Sequence, residues 1–122
     1  MWNPLDETPY EQDPRSKPLR PGAEDGGYVY VQDEQGVVYA LPDGSHRHPK
    51  VLGLARPAMY AGDLTLKDGK IADITNLSGT FQFDDPDGLL NVVAVLREVG
   101  FVVEENAVRF FPSDGSRAVI LQ

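Results

Sequence analysis

The sequence predicts an α+β fold, a largely antiparallel sheet of hairpins with one main helix packed on one face. Three features predict it. Turns built on Asp-Gly or a closing glycine recur between short runs rich in β-branched and aromatic residues. Only one segment carries apolar residues at helical spacing. The strand-like runs follow one another directly with no alternating helix pattern, so sequential pairing is expected rather than βαβ units.

The elements follow in order along the chain. Residues 28–31 (Tyr-Val-Tyr-Val) and 37–41 are two β-rich runs, and the tetrad Asp33-Glu34-Gln35-Gly36 between them makes a hairpin. Pro42-Asp43-Gly44 is a further turn signal. Residues 59–66 and 70–74 form a second hairpin about Lys67-Asp68-Gly69. Within it, Leu64 and Leu66 alternate with polar neighbours, as a half-buried strand requires. Gly62 interrupts that strand and marks a bulge or a close approach of backbone.

The helix is signalled at both ends. Asp85 suits the N-cap, Pro86 the first helical position and Asp87 the positive helix terminus. Leu89, Val92, Val93 and Leu96 make one apolar stripe, and Gly100 stands where a left-handed C-terminal residue is wanted. Residues 107–111 and 117–121 flank Pro112-Ser113-Asp114-Gly115 as a third hairpin.

The 122 residues suffice for one core without staples. Residues 28–122 read as the α+β domain. Residues 1–27 read as a proline-rich N-terminal arm, because Pro4, Pro9, Pro14, Pro18 and Pro21 favour extended backbone. Trp2, Leu5 and Tyr10 lie among these prolines and are the arm's candidate anchors for a partner.

The net charge is −8. Such a field repels phosphate backbones and favours a basic protein partner over nucleic acid. The chain has no cysteine, which excludes disulfides and thiolate metal sites and suits a cytoplasmic location. The N-terminal residues lack a basic head and an apolar stretch, so no secretory leader is expected, and no apolar run is long enough to span a membrane.

The inventory for chemistry is thin. His46 and His48 would share a face on a strand, but a zinc site needs a third protein ligand, and no metal or other cofactor is expected. Asp84, Asp85 and Asp87 lack the spacing and the closing glutamate of a calcium loop; a helix cap accounts for them. Ser78, with His48 as base and Asp63 as its orienting carboxylate, is the one candidate triad, and no nucleophile elbow accompanies it. Arg47, Lys50 and Arg56 gather with the two histidines between residues 46 and 56, a local reversal of charge suited to an anion or to internal pairing.

His48, Ala61-Gly62-Asp63-Leu64, Gly69-Lys70-Ile71, Ile74 and Ser78-Gly79 together resemble a module with the order H, A-G-[acidic], G-x-[aliphatic], S-G. That module occurs in uncharacterised bacterial proteins, some associated with polymorphic toxins, and in plant IQ-motif calmodulin-binding proteins. The resemblance runs over roughly residues 28–110 and is densest around His48, Arg56, Asp63 and Ser78, which it marks as a candidate ligand-binding pocket. The chain departs from the module at Pro49, where serine is usual, and at Thr80 and Phe81, where a histidine and an aromatic usually follow. There is no IQ motif, so calmodulin binding does not carry over.

Two functional expectations follow. The first is an acidic protein-interaction module without catalysis, of the immunity or antitoxin type, that binds a basic effector. The second is a small enzyme or ligand-binding domain whose pocket holds His48, Asp63 and Ser78, with Arg56 beside them.

Overall fold

The computed structural model describes residues 16–42, 58–77, 85–112 and 117–121. Among them, seven strands form one sheet: β1 (Lys17–Pro18), β2 (Gly26–Gln32), β3 (Val38–Pro42), β4 (Tyr60–Lys67), β5 (Lys70–Thr75), β6 (Val108–Phe110) and β7 (Val119–Ile120). Their order across the sheet is β1-β3-β2-β4-β5-β6-β7. Helix α1 (Pro86–Glu98) packs against β3, β4 and β6. The α+β class and the largely antiparallel sheet are as the sequence predicts.

The first turn works as its composition suggests. The Asp33 amide donates to the Val37 carbonyl (2.9 Å), and Asp33 Oδ1 accepts from the amides of Gln35 and Val37 (3.0 Å each). Gly36 takes φ +85°, which a side chain would resist. In the β4–β5 turn, Asp68 and Gly69 both have positive φ, and Lys67 pairs with Lys70 across them. Asp25, just before β2, accepts from the Asp68 amide at 2.7 Å and the Gly69 amide at 3.0 Å, tying that turn to the start of the neighbouring strand.

The strand pairing differs from expectation in places: β2 pairs with β4 as well as with β3, and β5 and β6 are parallel, with α1 between them, so the described residues contain a βαβ crossover where the sequence suggests hairpins alone. The helix is the reason: it carries the chain back across the sheet, so the next strand runs in the same direction as the last. Backbone bonds continue this parallel pairing beyond β6, from the Ile71 amide to the Val102 carbonyl and from the Glu104 amide to the Ile71 carbonyl (2.9 Å each). β6 and β7 then pair antiparallel as the third hairpin, its tip at 113–116 lying outside the described residues.

Residues 17–19 join the body of the domain. β1 pairs with β3, the Leu19 amide donates to the Val38 carbonyl (2.9 Å), and the Leu19 side chain is buried in the core.

The two sheet faces differ. Tyr30, Leu64, Leu66, Ile74, Val108 and Phe110 belong to the core that takes in Leu89, Val92, Val93 and Leu96 of α1. Each of those helical residues is buried, contributing about 1.5–3 kcal/mol of apolar burial. On the opposite face, register aligns buried Val29, Val31, Leu41 and Ala61 with a polar flank of Asp63, Thr65, Asp73, Thr75 and Arg109.

Helix α1 starts and stops as predicted. Asp85 Oδ2 accepts from the Gly88 amide at 2.9 Å, and Pro86 occupies the first turn. At the other end, the Gly100 amide donates to the Arg97 carbonyl (3.0 Å) and the Phe101 amide to the Leu96 carbonyl (3.0 Å), a Schellman closure with Gly100 at φ +112°.

The N-terminus of the helix is seated by Tyr60, whose hydroxyl donates to the Asp85 carbonyl at 2.9 Å. A Cβ at Gly88 would fall 2.5 Å from the Tyr60 ring and 2.7 Å from Asp85 Oδ2. Gly88→Ala should therefore destabilise the domain by about 1–2 kcal/mol, because crowding the buried ring outweighs alanine's better helix propensity. Urea denaturation checks this; a stabilised variant would contradict the seating of α1 on Tyr60.

Candidate functional site

Among the sequence-predicted site residues, Asp63 is the one the structure describes. Trp2, Leu5, Tyr10, His48, Arg56 and Ser78 lie outside the described residues, as does His46. Asp63 sits in the middle of β4, half-buried, at the boundary between the apolar and polar parts of the sheet face turned away from α1. Its Oδ1 accepts from Thr75 Oγ1 at 2.7 Å, and that same hydroxyl oxygen accepts from the Leu77 amide at 3.0 Å. The Thr75 hydroxyl is thus held as a structural link, while Asp63 Oδ2 is without a partner among the described residues.

Behind this pair the backbone is unusually close. Gly62 lies so near β5 that a Cβ there would fall directly on the Thr75 carbonyl oxygen and 2.9 Å from the Tyr30 hydroxyl. That hydroxyl crosses over Gly62 and donates to the Thr75 carbonyl at 2.6 Å. The bond gives the carbonyl a partner just past Leu64 and Ile74, the last paired residues of β4 and β5. The glycine therefore marks a close approach; the bulge lies further along, in β5, where Ala72 is the extra residue opposite Thr65 and Leu66. Burial pushes the Tyr30 phenol well above its ordinary value, and the neighbouring Tyr60 and Asp63 add to the effect.

A second pair flanks Asp63. Arg109 Nε and Nη2 donate to the two oxygens of Asp73 at 2.6 and 2.8 Å, a bidentate fork between β6 and β5. The Arg109 guanidinium also lies over the Phe111 ring, 5.3 Å from its centroid. The bond to Asp73 raises the guanidinium's pKa against a smaller opposing effect of burial, and the charges of Asp73 and Asp63 act in the same direction. Nearby, buried Asn76 clasps the Phe111 backbone, donating to its carbonyl (2.9 Å) and accepting from its amide (2.7 Å). The side-chain amide thus carries sheet-like bonding past the end of β5.

The structure brings Asp63 together with Thr75, Asp73 and Arg109, none of which the sequence singles out. A hairpin register counted back from Lys67 and Lys70 points to Ile74 opposite Asp63; the bulge shifts the pairing by one and substitutes Thr75. Asp73 and Arg109 meet only because β5 and β6 are parallel neighbours. Chemically, the site offers one half-buried carboxylate oxygen and one permanent cation whose side chain remains 42% exposed. Among the described residues no group of three His, Cys, Asp or Glu is placed to hold a metal ion, and no helix is long and apolar enough to cross a membrane. In comparisons with known proteins, no family model, no curated protein and no solved structure matches this chain.

Proposed function

We propose that this protein is a non-catalytic, acidic interaction module of the immunity or antitoxin type, whose partner is a basic protein. The observation that carries this reading is the division of labour among its carboxylates. Asp25 and Asp33 hold turns, Asp85 caps the helix, Asp73 binds Arg109 and Asp63 binds Thr75. Glu24, Glu34, Asp68, Asp87, Glu98, Glu104 and Glu105 are exposed at the surface of a chain with net charge −8. A field of that sign accelerates encounter with a cationic macromolecule and rejects anionic ones. The N-terminal aromatic residues Trp2 and Tyr10 suit the anchoring role that such an interface needs.

A second reading, a small enzyme or ligand-binding domain around His48, Asp63 and Ser78, is favoured by the half-buried position of Asp63 beside Thr75. Co-expression with the protein encoded beside it, together with three variants of the full chain, separates the two readings. An interaction module should copurify with a basic neighbour, lose about tenfold or more in affinity on removal of residues 1–15, and be unaffected by His48→Ala or Ser78→Ala. The deletion stops at residue 15 because β1 and Leu19 belong to the sheet and core. A folded chain that ignores its basic neighbour, or a function lost with His48→Ala and untouched by the deletion, would overturn the interaction reading.

A further inference from the structure

A groove of about 510 Å³ runs between the β2–β3 turn and the C-terminal half of α1. Its apolar lining comes from Leu19, Val38, Met59, Val95 and Val99, with Met59 43% exposed. Three polar features give it a direction. Gln32 lines it while only 2% exposed, and its amide nitrogen donates to the Gly36 carbonyl (3.1 Å) and to Asn91 Oδ1 (3.2 Å). Both of its N–H groups are thereby used, and its carbonyl oxygen has no donor among the described residues. Glu34 and Glu98, both exposed, also line the groove. Arg20, the one cation among the described residues that line it, donates through Nη1 to the Leu19 carbonyl at 2.9 Å.

A buried acceptor without a donor carries a standing cost that an incoming N–H removes. Apolar walls with carboxylates among them fit a long side chain that buries its methylene stem and keeps its charged head among acceptors. We propose that this groove is the docking site for a lysine or arginine side chain presented by a basic partner protein. The inference rests on the interaction reading above and names the surface that would serve it.

The test uses n-butylguanidinium as a minimal cation with a stem, titrated into ¹⁵N-labelled full-length protein, with n-pentanol as the uncharged control. Amide shifts should concentrate at Gly36, Val37, Val38, Asn91, Val95 and Val99, and pentanol should produce a markedly smaller response. Glu34→Lys combined with Glu98→Lys should abolish the response, whereas Glu104→Lys with Glu105→Lys, an equal change of charge elsewhere on the surface, should leave it in place. Shifts scattered over the acidic surface, an equal response to pentanol, or equal losses in the two double variants would overturn the groove as a cation site. The two readings fail separately. A basic neighbour that binds the groove-reversed variant undiminished sinks the groove alone, while a groove that binds the cation in a chain with no basic partner sinks the interaction module.

Discussion

Gly62→Ala is expected to destabilise the domain by about 3–5 kcal/mol, lowering Tm by roughly 12–20 °C. The added methyl group meets backbone: the Thr75 carbonyl oxygen lies where Cβ would go, with the carbonyl carbon at 2.8 Å and the Tyr30 hydroxyl at 2.9 Å. A flexible side chain can swing aside, but a carbonyl in a strand moves only if the strand moves. Separating β4 from β5 here would also break the bonds from Tyr30 to the Thr75 carbonyl and from Thr75 to Asp63. For a domain whose total stability is on the order of 5–15 kcal/mol, that leaves little in reserve. Calorimetry checks it, and a Tm within a few degrees of the parent would contradict the close approach.

Tyr30→Phe is expected to cost about 1–3 kcal/mol near neutral pH, because it leaves the Thr75 carbonyl buried without a donor. It should also change how stability depends on pH. An unfolded phenol ionises near 10.0, whereas folded Tyr30 keeps its proton well above that, first because it is fully buried and then because of Tyr60 and Asp63. Above pH 10 the unfolded chain therefore binds fewer protons than the folded one, so the phenol's contribution is complete below that pH and falls as pH rises towards the folded value. The slope from one phenol is at most about 1.4 kcal/mol per pH unit. Tyr28 shifts in the same direction, through burial and then Glu24 and Asp25, so the variant should retain part of the alkaline loss. Urea denaturation at pH 8, 10 and 11 should show the difference between parent and Tyr30→Phe shrinking with pH. A difference that stays constant would mean that the hydroxyl is not buried as described.

The local architecture was legible from composition because its causes are local. Asp85, Pro86 and Gly100 delimit the helix, the stripe from Leu89 to Leu96 faces the core, and the turns at Gly36 and Asp68-Gly69 lie where hairpins bend. Gly62 was readable as a place where chains come close, though the chain that approaches was not. What stayed hidden is non-local. The parallel pairing of β5 with β6 depends on where the helix returns the chain, and a one-residue bulge decides that Thr75, not Ile74, stands beside Asp63. Alternation alone predicts faces within a strand; it cannot register one strand against another through a bulge. The candidate site shows the same division. Asp63 was found through its place in a motif, while Thr75, Asp73 and Arg109 come to it only through tertiary pairing.

The proposed recognition of a cationic protein is tested most directly by the salt dependence of affinity between the full chain and the protein encoded beside it. Titrations from about 50 to 300 mM sodium chloride span Debye lengths from more than 10 Å to less than 8 Å. The expected result is a basic neighbour bound steadily more weakly as salt rises, with most of the change in the association rate. Binding unaltered across that range, or a tightly bound partner that is itself acidic, would contradict it.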